Sequence, residues 1–292
     1  LRNLFVHAER HLLAPVIFSP VVLCYNKAHF RECGLEEPDG SWTWDDLLAN
    51  AEKLTDGKGR YGFGFHIQDI NRWPIFLLQS LEKFEWEPDG RLKDLRSSRL
   101  LHSMKVCKTI LHNRKAFPLF FSESNADILQ MFSEGKLSMI LNSYMGLNLW
   151  KNADLEYDVT PIPFIREPRT LLICLGAGLG KRSRHKEEAQ LLIDFLASPR
   201  TSRFIVKHTL SIPAVRPFPS PQPDSDFRRP EHFAMFRDMM FSYRTHADLN
   251  IPAHSFPKLF QQIKAYLADL IDEEELCVRI SEALSGQMQH TV

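Results

Sequence analysis

The segment Gly176-Ala-Gly-Leu-Gly-Lys-Arg-Ser183 has the composition of a loop that cradles phosphate, but not its spacing. Such a loop needs a glycine five residues before the one preceding lysine, and a hydroxyl directly after the lysine. Leu175 and Arg182 hold those places, and the third glycine of a dinucleotide fingerprint falls on Lys181. A glycine-bearing strand end where two backbones approach closely is the better reading. His7 and His11 stand four apart around Glu9, whereas the helical zinc motif puts glutamate directly after the first histidine. The five cysteines, Cys24, Cys33, Cys107, Cys174 and Cys277, show no metal spacing. Being odd in number and scattered through apolar segments, they suit reduced thiols rather than a disulfide framework. No Gly-x-Ser-x-Gly elbow is present, and no base stands beside Cys24 or Cys174 in sequence to activate a nucleophile. The acids Glu36-Glu37, Asp45-Asp46 and Glu273 to Glu275 fall where turns or first helical turns favour negative charge. No catalytic residue, metal or cofactor is expected, which leaves binding rather than catalysis.

The elements that must position any site alternate in type. Pro15 to Tyr25 reads as a buried strand, with a bend or a crossing between domains at Pro20, where a ladder donor is missing. Asn26 caps a short helix to Cys33, and Thr43 opens a helix with Trp44, Leu47, Leu48, Ala51 and Leu54 on one face. Tyr61 to His66 is a strand, and Asn71 is placed as the cap of a helix carrying Trp73 and Pro74. Two helical stripes follow, Leu100 to Leu111 and Ile128 to Phe132. Strands are expected at Leu137 to Leu141, Tyr157 to Ile162 and Leu171 to Leu179, then helices at Lys186 to Ala197 and Pro199 to His208. This alternation predicts an α/β fold with mainly parallel sheets. Pro213 to Pro230, with six prolines, reads as a long surface connection, and the remainder as purely helical.

Composition limits the partners. Lys plus Arg and Asp plus Glu are 36 each among 292 residues, so no global field exists to hold nucleic acid or an anionic membrane. The longest apolar runs are far short of the roughly 20 residues that span a bilayer, so no transmembrane segment is expected. Leu1 opens the chain in place of Met, no leader pattern precedes Pro15, and the start reads as cut.

Taken in order, several segments resemble family 1 of the bacterial extracellular solute-binding proteins, the sugar-capturing, maltodextrin-binding-like subunits of ABC importers. Val22-Leu-Cys-Tyr-Asn-Lys27 resembles the family's strand ending in Tyr-Asn-Lys, and Phe30, Gly34-Leu35 and Thr43-Trp-Asp-Asp46 follow as in the family. Tyr61-Gly-Phe-Gly-Phe65 with Trp73-Pro74, Phe132-Ser-Glu-Gly-Lys136 with Met139 to Ser143, and Tyr157 to Pro163 match the next segments. Gly176 to Gly180 and Glu187 to Pro199 resemble the return to the first lobe, so the likeness covers about residues 14 to 285.

The resemblance implies a type II periplasmic-binding-protein-like architecture. Two hinged α/β lobes are joined by crossings near Ser19 and Gly178 and a third near Pro213 to Pro221, with the first lobe incomplete. Residues 1–19 and 178–219 would be the remnant of that lobe, and residues 20–177 and 220–292 the second. Only fourteen residues precede the Pro15 strand, where the family carries most of its first lobe. Either further polypeptide exists in the native product, or the Lys186 to His208 helices bear bare apolar surface. The implied function is closure on a small solute, most simply a mono- or oligosaccharide, handed unaltered to an ABC permease. The implied ligand-facing residues are Ser19; Asp69, Asn71, Arg72 and Trp73; Asn142, Tyr144 and Met145; Cys174; and His254. Tyr144 is the leading stacking candidate, and Met145 stands where relatives usually carry a larger aromatic. The resemblance places the chain in the cell envelope. The five unpaired cysteines keep open a cytoplasmic alternative, the ligand-sensing domain of a transcriptional regulator.

Overall fold

The computed structural model describes residues 6–7, 10–80, 83–96, 98–118, 127–215 and 227–285. A short hairpin, β1 (Val6–His7) and β2 (Arg10–His11), precedes the central strand β3 (Ala14–Asn26). Then follow α1 (Lys27–Glu32), α2 (Trp44–Leu54), β4 (Tyr61–Gly64), α3 (Pro74–Ser80), α4 (Ser98–His112), α5 (Ile128–Ser133), β5 (Leu137–Ser143), β6 (Tyr157–Thr160) and β7 (Thr170–Ala177). The chain continues through α6 (Lys186–Leu196), α7 (Pro199–His208), β8 (Ile212–Pro213), β9 (Tyr243–Arg244), α8 (Phe256–Leu267) and α9 (Glu273–Leu284).

Strand β3 organises everything else. Its first half pairs with β7 and β8, and its second half, from Val21, pairs with β5 and β6. The exchange falls immediately after Pro20, which has no amide hydrogen for a ladder, so Pro20 marks a crossing between sheets within one unbroken strand. All four pairings of β3 are antiparallel, and among the described strands only β4 with β5 and β7 with β9 pair in parallel. This corrects the expectation of mainly parallel sheets. A strand shared by two sheets carries the chain one way, and β7 must bring it back along the same edge.

Local signals explain most boundaries. The Asn26 side chain accepts from the His29 amide at the start of α1, and Thr43 and Asp46 form a reciprocal capping box at α2. Helix α2 then buries Trp44, Leu47, Leu48, Ala51 and Leu54, the face read from its periodicity. Gly62 lets β4 lie against that helix, since a Cβ there would sit 1.9 Å from the Ala51 carbonyl oxygen. Helix α3 begins at Pro74, so Trp73 belongs to the preceding turn and Asn71 is not a cap. The C-terminal third is not purely helical, because β9 extends the sheet beside Thr170 and Leu171. Residues 216–226 of the proline-rich connection, and with them most of the third expected crossing, lie outside the described residues.

The core lies around the second half of β3, with Val21, Val22, Leu23 and Cys24 fully buried. Helix α6 contrasts with it, having no buried residue. Leu191 is 70% exposed, and Leu192, Phe195 and the α7 residue Phe204 are also exposed. Bare apolar surface is therefore present on this pair of helices.

Candidate functional site

Where β3 changes sheets, Ser19 is fully buried and its Oγ accepts the Met145 amide at 3.0 Å. The crossing strand thereby holds the loop that leaves β5. Asn142, also buried, accepts the Ser143 amide at 2.8 Å and faces Gly146, where a Cβ would come within 2.1 Å of its Oδ1. The Asn142 Nδ2 has no hydrogen-bond partner among the described residues. Asn142 therefore shapes this loop, and Met145, only partly covered, is the side chain the loop can offer outward.

The turn between β4 and α3 is a second cluster. Asp69 Oδ1 accepts the Asn71 amide at 2.8 Å, and Asp69 Oδ2 lies 3.6 Å from Arg72 Nη1. Arg72 is buried and donates from Nε to the Leu141 carbonyl at 3.2 Å, one residue before Asn142. Burial lowers the affinity of this guanidinium for its proton, and the Asp69 charge opposes that. Arg72 thus ties the turn to β5, while Asp69 and Asn71 stay partly exposed.

Two expected aromatic platforms face inward in this structure. Trp73 is buried and stacks on Phe260 with ring centroids 5.4 Å apart. Tyr144 is fully buried, donates its hydroxyl to the Phe233 carbonyl at 2.9 Å and packs edge-on against Phe233 and Phe236. Neither ring offers a face to a guest here. Cys174 lies opposite Phe18 in the β3–β7 ladder, and burial pushes its thiol up from the ordinary value. His254 is exposed on the turn before α8.

Sequence reading missed the segment from Met240 to His246. His246 Nε2 lies 2.9 Å from the Ile70 carbonyl, joining loops 176 residues apart, and its ring meets Phe256 edge-on at 5.1 Å. Ile70 is 44% exposed and Phe241 is 71% exposed. Arg244 Nη1 donates to the carbonyls of Phe241 and Tyr243 at 3.1 and 2.8 Å. This segment has neither helical nor alternating periodicity, so only its aromatic and basic content hinted at a role. Three hydrogen bonds tie these loops into a rim: Met145 to Ser19, Arg72 to the Leu141 carbonyl, and His246 to the Ile70 carbonyl.

A cavity of about 940 Å³ adjoins this region, lined by Leu13, Phe18, Leu172, Ile193, Met240 and Tyr243 among others. None of the ten expected residues lines it. Most of the side chains that line it are apolar, with Gln190 and Tyr243 among them as polar ones. The rim differs from it in carrying a carboxylate and a carboxamide, at Asp69 and Asn71, that are partly exposed.

An α/β frame in which one long strand serves two sheets, with loops gathered at the exchange point, defines a periplasmic solute-binding fold. An ABC substrate-binding protein from Listeria monocytogenes in complex with cycloalternan superposes with a TM-score of 0.84 at 20% identity, covering 99% of this chain and 74% of that one. Maltose-bound T. maritima MalE3 superposes at 0.79 with 16% identity, covering 97% and 74%. The family described as bacterial extracellular solute-binding protein matches residues 6–202, and the chain belongs to that family. Its members bind solute rather than transform it. A binding protein of Brucella abortus (strain 2308) is 26% identical over 190 residues, 62% of this chain and 45% of the relative. The chain thus spans just under half the length of this curated relative. The galactooligosaccharide-binding protein of Bacillus subtilis (strain 168) is 26% identical over 98 residues, 32% of this chain and 23% of that protein.

Proposed function

We propose that the chain captures a carbohydrate at the junction rim and presents it to an ABC permease at the cell envelope. The observation that carries this is the rim itself, in which exposed Ile70, Phe241 and His254 and partly exposed Met145 accompany loops tied by the hydrogen bonds of Ser19, Arg72 and His246. Apolar faces beside fixed donors and acceptors are what a sugar ring needs, because its two sides are hydrocarbon and its edge is hydroxyl. Support comes from solved relatives whose bound solutes are cycloalternan, maltose and D-mannitol. Residues 1–19 and 178–219 serve as first-lobe structure and residues 20–177 and 220–292 as the second lobe, a division favoured by the partner exchange of β3 after Pro20. The ten residues act at two depths. Ser19, Arg72, Trp73, Asn142, Tyr144 and Cys174 support, whereas Asp69, Asn71, Met145 and His254 can touch the guest.

Calorimetric titration with malto-, galacto- and cyclic oligosaccharides tests this, with mass spectrometry of the recovered ligand. Saturable binding and unchanged ligand are expected; no heat from any member, or a cleaved product, would reject it. The regulator reading keeps one observation on its side, that all five cysteines are free. A titratable sugar site in a chain found fused to a DNA-binding module would favour it.

A further inference from the structure

Arg244 is the one rim guanidinium whose charge the surrounding fold does not neutralise. Its Nη1 is fixed by the two carbonyls of Phe241 and Tyr243, and no carboxylate pairs with it among the described residues. The carboxylates of the two linked loops are already engaged: Asp69 by Arg72 and the Asn71 amide, Asp248 by the amide and hydroxyl of Thr245. The Phe241 ring, on the residue whose carbonyl holds Arg244, is 71% exposed and without a ring partner among the described residues. The backbone carbonyls hold one edge of the guanidinium fork, so its Nε and Nη2 edge is preorganised for a planar two-oxygen acceptor. Exposed phenyl and half-tethered fork are separated by only three positions.

We infer that Arg244 and Phe241 form an anion-reading subsite, and that the favoured guest is an acidic saccharide carrying a uronate carboxylate. This rests on the carbohydrate reading above and narrows its ligand class. The phenyl face takes the hydrocarbon side of the uronate ring, and Arg244 takes its carboxylate. A neutral sugar would leave the fork with hydroxyl acceptors only, and charge-assisted hydrogen bonds are the stronger kind.

The test titrates the chain with trimers of galacturonate and of glucuronate and with their methyl esters, which keep the rings and remove the charge. At least one acid is expected to bind about 10- to 100-fold more tightly than its ester, with that ratio shrinking as salt rises. Arg244→Gln should collapse the ratio towards one, Arg244→Lys should retain part of it, and Phe241→Ala should weaken acid and ester together. The melting temperature of each unliganded variant separates loss of the subsite from loss of fold, and Arg244→Lys carries the test if Arg244→Gln does not fold. Esters or neutral oligosaccharides binding at least as tightly as the acids would overturn the inference and leave the carbohydrate reading standing. No binding by any acid, ester or neutral oligosaccharide would overturn both.

Discussion

One methyl group at Gly146 separates a structural Asn142 from a ligand-contacting one. A Cβ there would strike the Asn142 side chain, so Gly146→Ala is expected to cost about 1–3 kcal/mol by overpacking. If Asn142 only shapes the loop, truncating it to alanine should relieve much of that cost, and a double-mutant cycle in denaturant reads the coupling. Additive losses would show that the two residues do not share the space. Ser19→Ala removes the acceptor of the part-buried Met145 amide and should cost about 1 kcal/mol. A second residue-scale expectation concerns pH. His29 is buried against Ser138 Oγ at 2.9 Å, and burial first, then the Arg60 charge, lowers its affinity for a proton below the ordinary 6.5. As pH falls the unfolded chain takes that proton before the folded one does, so stability drops below about pH 6.5 and is untouched above it. His29→Gln should flatten this part of a Tm-against-pH curve; an unchanged slope would assign the loss to other groups.

Helix α2 and strand β4 show what could be read ahead of the coordinates and what could not. Thr43, Asp46 and the apolar face of α2 were legible because capping and helical periodicity are local properties of neighbouring residues. Thr43→Ala is expected to lower stability by about 0.5–2 kcal/mol in chemical unfolding, and no loss would mean the capping box carries no weight. Gly62→Ala should be far worse, because the Ala51 carbonyl already occupies the space of the added carbon. Strand direction was not legible, since the pairings of β3 depend on residues more than a hundred positions away. For the same reason the tie of His246 to the Ile70 carbonyl, and the hold of Arg244 on the Phe241 carbonyl beside it, were not legible. Buried Tyr144 and Trp73 occupy positions that resemblance marks, yet their rings close on Phe233 and Phe260, contacts that no sequence motif encodes.

Across the whole molecule, a dense core around β3 stands against the unburied α6. Exposed apolar patches of this kind drive association. Replacing Leu191 and Leu192 together by Gln should leave the unfolding free energy within about 0.5 kcal/mol and reduce self-association measured by sedimentation. A large stability loss would mean that these leucines are packed after all. The proposed capture lies at the exchange of sheets rather than within either one. Hydrogen–deuterium exchange, compared with and without the tightest-binding saccharide, tests that most directly. Slowed exchange is expected in residues 66–72, 142–148 and 240–255, with the saccharide recovered intact. Protection confined to other segments, or a saccharide returned with a broken bond, would contradict capture at the rim.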